Sequence, residues 1–282
     1  MLGLTLEGGG SRSVYTAGVL DVLLEEEIMA DVIVGVSAGI AFGTSYASGQ
    51  KGRTMEIALK YFPDKRYLGI KHLLNPKNRS YYNMDFVFYE IPEKLVPFDY
   101  DAFEKYEGKI YCVLTDLETG EAVYPEVPRD DHKQTHLRAS CALPVLFPVF
   151  TIDGRQYMDG GIVDSIPYKK AMEEGCDKNI VILTREDTYR KTTDKATAFA
   201  AKRFKKYKTF SQKILDRADM YNGKVEELLK LEKEGKVFIF RPDDTTGIAR
   251  TDADTEKLQK LYDKGVNDAR SRMAELREYL AK

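Results

Sequence analysis

The chain has 282 residues, 43% hydrophobic and 31% charged, with a formal net charge of -2. It is long enough to bury a substantial apolar interior and too apolar to remain disordered. The near-neutral charge argues against nucleic acid as the main partner, and no run approaches 18 consecutive apolar residues, so no transmembrane helix is expected.

Leu2 to Leu6 reads as a short buried strand that Gly8-Gly9-Gly10 breaks. No basic segment precedes it, and it runs straight into Glu7, which is not a signal-peptide pattern. A helix follows with Val14, Ala17, Leu20, Leu24 and Ile28 on one face. Asp31 to Val36 is a second apolar strand, and Ala38 to Ser48 has helical spacing rich in small residues. Strand, helix and strand in that order predict a βαβ unit with parallel strands. Residues 50–108 carry no clear period. Ile110 to Thr115 reads as one strand that forms a hairpin with Glu121 to Tyr124. His132 to Cys141 reads as a helix ended by Pro144 and Pro148. Val149 to Ile152 and Gln156 to Met158 flank Asp153-Gly154-Arg155, a second hairpin signal. Pro167 suits the first turn of a helix that stops at Gly175, and Asn179 to Thr184 is another buried strand. Beyond it the chain is mainly helical, interrupted by a strand at Val237 to Phe240, and it closes on one amphipathic helix from Asp254 to Leu280. Cys112, Cys141 and Cys176 are odd in number and widely spaced, which fits reduced thiols in a cytoplasmic protein.

Three stretches carry chemistry. Gly35-Val36-Ser37-Ala38-Gly39 is a GxSxG sequence between a strand and a helix. A nucleophilic serine on such a turn is lifted out of the sheet, and its flanks, Gly35 and Gly39, must be small. The same residues also fit a plain βα turn with a serine N-cap. Gly8-Gly9-Gly10-Ser11-Arg12 again joins a strand to a helix, and its backbone N–H groups can hold an oxyanion or a phosphate. It lacks the Lys-Ser/Thr of a Walker loop, matches a dinucleotide fingerprint only in part, and alone reads as a tight turn. Asp159-Gly160-Gly161 follows a strand, where the glycines leave the carboxylate uncrowded; alone it reads as a turn aspartate.

Together the three support one another, because a serine needs a base and acyl transfer needs oxyanion donors. The only histidines are His72, in a poorly defined region, and His132 and His136, on the expected helix. None is a clear triad member, so the residues favour a two-residue site in which Asp159 takes the proton of Ser37 directly. A free aspartate, with a pKa of about 3.9, is a poor base near neutral pH unless burial raises it.

With Ser140-Cys141-Ala142-Leu143-Pro144-Val145-Leu146-Phe147-Pro148, which resembles a Ser-x-Ala-x-Pro-x-x-Phe-x-Pro segment, these elements resemble the patatin-like phospholipase family in their order, over roughly residues 2 to 185. The resemblance implies a three-layer α/β/α fold around a mostly parallel sheet and hydrolysis of lipid acyl esters without metal or other cofactor. It makes Ser37 the nucleophile and Asp159 its partner. The oxyanion hole falls to Gly9 and Gly10, with Arg12 nearby and Gly8, Gly35, Gly39, Gly160 and Gly161 in support. The family usually has glycine where this chain has Ser13. Residues 1–185 are then the catalytic core and 186–282 a mainly helical extension packed on it.

Residues 191–217 hold nine Lys or Arg against two Asp, interleaved with Phe199, Phe204, Tyr207 and Phe210. Such a stretch can lie on an anionic membrane, which would make a cytoplasmic protein peripheral. The reading preferred here is a solvated helix whose aromatics pack on the core. The dyad serves an acyltransferase or a general carboxylesterase as well as a lipid hydrolase. A phosphate-binding module and a catalytically silent lipid-binding protein are the readings from other classes.

Overall fold

The computed structural model describes residues Met1 to Lys282. Strand β1 (Leu2–Leu6) leads through the glycine loop and a 3-10 turn (Gly10–Ser13) into helix α1 (Val14–Glu25). Strand β2 (Val32–Gly35) and helix α2 (Ala38–Ala47) follow, then α3 (Arg53–Tyr61) and the short α4 (Ile70–Leu74). Residues Phe86–Leu95 wind wider than an α-helix around Pro92, and the stretch ends where the Val96 N–H bonds Ile91 O, five residues back. Helix α5 (Tyr100–Glu104) leads into β3 (Lys109–Cys112).

The expected single strand over 110–115 is two. β3 lies parallel to β2, whereas β4 (Leu114–Asp116) turns into a second sheet and pairs antiparallel with β5 (Ala122–Val123) as the expected hairpin. The switch residue Val113 stays bonded to the first sheet through its N–H to Gly35 O at 3.0 Å. The helix expected over 132–141 is shorter, α6 (Thr135–Ser140). Gln134 sits at φ 53°, and the Asp131 carboxylate accepts from the Lys133 and Thr135 N–H groups, so the preceding residues form a turn. The second hairpin is β6 (Phe150–Ile152) with β7 (Arg155–Asp159). A 3-10 turn (Gly160–Ile162), α7 (Tyr168–Glu173) and β8 (Lys178–Ile182) complete this part.

Beyond residue 186 come α8 (Lys195–Arg203), α9 (Lys208–Lys233), β9 (Phe238–Phe240), α10 (Thr255–Ser271) and α11 (Met273–Ala281). The expected closing helix breaks at Arg272. There the guanidinium sits 4.4 Å from the Phe238 ring centre and Nη1 donates to Ile239 O at 2.6 Å, which anchors the break to β9.

The main sheet is wholly parallel, in the order β3-β2-β1-β8-β9, and the smaller antiparallel sheet runs β5-β4-β7-β6. Alternation along the strands makes three layers. Leu4, Leu6, Ile33, Ile110, Ile180 and Ile182 share a buried cluster with Val19 and Leu23 of α1 and Leu261 of α10. Val181 and Ile239, one residue out of phase, pack with Tyr168 of α7 and Tyr221, Val225 and Leu228 of α9. The result is an α/β/α sandwich, with the helical C-terminal segment adding an edge strand and covering both faces. The Tyr262 hydroxyl of α10 donates to Asp21 at 2.6 Å, and the Tyr15 hydroxyl of α1 donates to Asp268 at 2.9 Å, so the two helices are also linked by polar contacts. No helix is long and apolar enough to cross a membrane.

Candidate active site

Ser37 lies at the carboxyl end of β2, where ligands bind in parallel α/β sheets. Its backbone is at φ 55° and ψ -134°, a region that costs a non-glycine residue about 1–3 kcal/mol. That conformation is what an exposed nucleophile on a strand–helix turn requires. Gly39 makes it possible: a Cβ there would fall 2.5 Å from Glu7 O and 2.7 Å from Leu6 O, so only glycine lets α2 come this close to β1.

Asp159 ends β7 in the other sheet and is 1% exposed. One short segment joins the two residues. Ser140 Oγ accepts from the Ser37 N–H at 3.0 Å and donates to Val113 O at 2.9 Å. Two residues on, Ala142 O accepts from the Asp159 N–H at 2.9 Å. Thr115 Oγ1 donates to Asp159 O at 2.8 Å. The carboxylate Oδ1 accepts from the Gly161 N–H at 2.7 Å, while Oδ2 is buried with no hydrogen-bond partner. Burial raises the Asp159 pKa above the ordinary carboxylate value; Arg217, the Gly161 N–H and the neighbouring Ser37 hydroxyl oppose that rise in part.

Both residues line one cavity of about 160 Å³. Gly8, Gly9 and Gly10 form another part of its wall. The Gly8 and Gly9 N–H groups donate to no backbone carbonyl of the chain. Gly10 sits at φ +60°, and a Cβ there would lie 2.3 Å from Arg250 O, which accepts from the neighbouring Ser11 N–H at 2.8 Å. Gly35 closes β2, and Gly160 and Gly161 begin the turn after Asp159. Arg12 is not on the cavity wall: it is 7% exposed, and its Nη1 reaches Ile248 O at 3.4 Å. No histidine reaches the cavity either. His72 Nε2 lies 3.3 Å from Lys65 O, His132 stacks on Tyr100 with ring centres 4.0 Å apart, and His136 faces a separate, smaller pocket. The wall also carries apolar residues, Phe42, Ile57, Phe62, Leu68, Phe88 and Ile91 among them, together with polar ones that include Thr44, Ser45, Arg53 and Thr54.

Two residues at the polar end come from the C-terminal segment and were not anticipated: Arg217 of α9 and Arg250 of the loop before α10. Arg217 Nε donates to Gly161 O at 2.6 Å. Its position carried no signal, since the buried stripe of Phe210, Ile214, Ala218, Tyr221 and Val225 on α9 runs past it unbroken. Arg250 stands in an irregular loop and carried none. In the 191–217 stretch, Phe210 is fully buried and meets the buried Phe204 edge to face at 5.2 Å, whereas Phe199 is 60% exposed. The first two rings are therefore core residues.

The parallel α/β sandwich thus brings a strained serine turn, a buried aspartate and a glycine loop to one partly apolar cavity. The chain belongs to the patatin-like phospholipase family, a family of lipid-acting hydrolases, whose model matches residues 4–172. Residues 207–281 match a second family, described as a domain of unknown function, DUF6363. The chain is 26% identical over 187 residues to the uncharacterized protein YjjU of Escherichia coli K12, covering 65% of this chain and 52% of that one. It is also 26% identical over 176 residues to Lysophospholipase NTE1 of Meyerozyma guilliermondii, covering 62% of this chain and 12% of that one. A patatin-like phospholipase domain-containing protein of Caenorhabditis elegans, ZK370.4, is 29% identical over 170 residues, with 59% of this chain and 12% of that one covered. The chain thus spans about half of the first relative's length and a small part of the other two.

Proposed function

We propose that this protein hydrolyses acyl esters of phospholipids or related lipids with Ser37 as nucleophile and Asp159 as base. The observation that carries the reading is the strained Ser37 turn held to the buried Asp159 through Ser140 and Ala142 at one partly apolar cavity. Asp159 takes the Ser37 proton as Oγ bonds the ester carbonyl carbon. The N–H groups of the Gly8–Gly10 loop hold the resulting oxyanion, the role their lack of backbone partners leaves open. Collapse breaks the bond to the leaving alcohol, which takes the proton from Asp159. Water then repeats the sequence on the acyl-serine and releases the fatty acid. The raised Asp159 pKa makes it a better base near neutral pH than a free aspartate.

The same reading divides the chain into a core over residues 1–185 and an extension over 186–282 that serves it. Lys202, Arg203, Lys205 and Lys206 are exposed, and with Phe199 they form the surface we propose for contact with anionic lipid. The test of the chemistry is labelling with a fluorophosphonate followed by peptide mapping. Label on Ser37 and loss of ester hydrolysis in Ser37→Ala are expected; full activity in that variant would sink the mechanism. An alcohol acceptor in place of water would make the same dyad an acyltransferase, and product analysis with and without added lysolipid separates the two.

A further inference from the structure

Five basic side chains gather at and behind the polar end of the cavity: Arg12, Arg185, Lys191, Arg217 and Arg250. Arg217 and Arg250 line it. None of the five has a carboxylate oxygen within the 4.0 Å that defines an ion pair. The acidic groups beside them are Glu7, Asp159 and Glu186; Glu7 Oε2 is engaged by the Thr184 N–H at 2.5 Å, and Glu186 Oε2 by the Thr245 hydroxyl at 2.5 Å. Arg185 Nη1 donates to Thr245 Oγ1 at 2.7 Å, and its guanidinium lies 4.2 Å from the Tyr189 ring centre. Lys191 Nζ stands 4.5 Å from the Tyr221 ring centre.

The crowding is electrostatically unfavourable. Burial lowers the Arg12 pKa to about 10, helped by Arg185 and Arg250, and lowers Arg217 to about 10, helped by Arg250. Lys191 is pushed down to about 7 by burial, then by Arg217, Arg250 and Arg12, with Glu7 opposing. Partly buried charge without a carboxylate partner is costly, and an anion bound among these groups would offset that cost.

Arg217 and Arg250 flank the candidate dyad. A Cβ on Gly161, two residues after Asp159, would be 3.3 Å from Arg217 Nη2. A Cβ on Gly10, on the glycine loop, would be 2.6 Å from Arg250 Cγ. Arg217 spends Nε on Gly161 O, whereas no hydrogen bond of the chain uses its two Nη groups, and the Arg250 guanidinium has no partner at all. The same cavity carries apolar wall residues such as Phe42, Ile57, Phe62 and Phe88.

We propose that Arg217 and Arg250 bind the phosphate of an amphiphile whose chain lies along the apolar wall, so that the enzyme selects acyl esters carrying a phosphate close to the scissile bond. This rests on the hydrolase reading for its kinetic arm only. It gives residues 207–281 a function: they complete the active site by supplying its anion-binding end. Guanidinium suits the task because its paired donors match phosphate oxygens.

The test has a binding arm and a kinetic arm, both on the full chain. In calorimetry, dodecyl phosphate below its micelle concentration should bind at least tenfold tighter than either 1-dodecylglycerol or inorganic phosphate. Arg250→Gln should weaken dodecyl phosphate at least tenfold, and Arg217→Gln likewise, with Arg217→Lys recovering part of the loss. Inorganic phosphate binding as tightly as dodecyl phosphate would make this a free-ion site and overturn the lipid assignment. Equal binding of the charged and uncharged amphiphiles, or no effect of Arg250→Gln, would overturn the proposal. In kinetics, the ratio of kcat/KM for 1-acylglycerol 3-phosphate to that for monoacylglycerol should exceed one and fall at least tenfold in Arg250→Gln. A ratio unmoved by that change refutes the selection. Absence of both hydrolysis and Ser37 labelling would instead refute the catalytic reading, and calorimetry would still decide whether the anion site exists.

Discussion

Ser140→Ala tests whether the Ser37 turn depends on its distant support. Ser140 is fully buried and holds two hydrogen bonds, from the Ser37 N–H at 3.0 Å and to Val113 O at 2.9 Å. Alanine removes both without adding volume. A buried polar group left unpaired costs about 1–3 kcal/mol, so the two together bound the loss at about 2–6 kcal/mol. Ser37 lines the cavity, where water can reach its N–H, while Val113 is fully buried; the lower half of that range is expected. At about 2–4 °C per kcal/mol, melting should fall by at least about 4 °C. The turn already holds Ser37 in an unfavourable conformation, so releasing one anchor lets the hydroxyl drift. A displacement of about 1 Å costs on the order of 10² in rate. The assay is thermal melting by circular dichroism, with kcat and KM on a soluble short-chain ester. A fall in kcat with little change in KM is the expected signature, because the substrate wall is untouched. Lower stability with unchanged kcat would show that Ser140 braces the fold without positioning Ser37, and no change in either would refute the reasoning.

Asp159→Asn should lower kcat by about 10²–10⁴, the range for a positioned general base, while single changes of His72, His132 and His136 to Gln leave it within a few-fold. Burial raises the folded-state pKa of Asp159 above its unfolded value of about 3.9, so the folded protein holds this proton more tightly and ionised Asp159 destabilises it. The contribution of this group to stability is therefore gained as pH falls through the folded pKa, and Asp159→Asn should melt no lower than the wild type at pH 8; a clearly lower melting temperature contradicts this. Arg217 holds the same pKa down, so Arg217→Gln should move the acid limb of the kcat profile to higher pH, and a shift to lower pH would be inconsistent with the geometry. Gly10→Ala should lower kcat more than it raises KM and also lower the melting temperature, since the new Cβ meets Arg250 O; a pure KM effect would point to ground-state binding instead. Changing Lys202, Arg203, Lys205 and Lys206 together to Gln should weaken sedimentation with anionic liposomes at low salt and spare hydrolysis of a soluble ester, whereas unchanged sedimentation removes the membrane surface. Phe204→Ala should cost about 3–5 kcal/mol of stability, as for a core ring, and a stable variant would contradict its packing on Phe210.

The parallel sheet was legible because its strands carry their own signal. Leu2–Leu6, Val32–Gly35 and Lys178–Ile182 are buried on both faces and read as continuous apolar runs bounded by glycine or charge. The hairpin at Asp153-Gly154 was legible because turn chemistry is local. What failed was long-range. The run from Ile110 to Thr115 has one period throughout, yet it crosses from one sheet to another at Val113 because two sets of partners claim its halves. The closing helix has an unbroken amphipathic pattern; its break at Arg272 follows from a contact with β9, more than thirty residues earlier.

The candidate site divides in the same way. Ser37, Asp159 and Gly8 to Gly10 sit on turns whose local backbone demands small residues, and such demands are written in the sequence beside them. Arg217 and Arg250 are placed by tertiary packing alone. An arginine inside a charged helix looks like surface, and the buried stripe of α9, which runs through Ile214, Ala218 and Tyr221, gives no sign of it. Arg250 reaches the cavity because the Arg250 carbonyl is pinned by the Ser11 N–H, a bond between residues almost at opposite ends of the chain. That bond makes the glycine loop and the C-terminal segment one structural unit. A change that loosens the C-terminal segment should therefore act on the oxyanion donors as well as on the anion-binding arginines, and the two effects separate only through Arg250→Gln, which keeps the carbonyl and removes the charge.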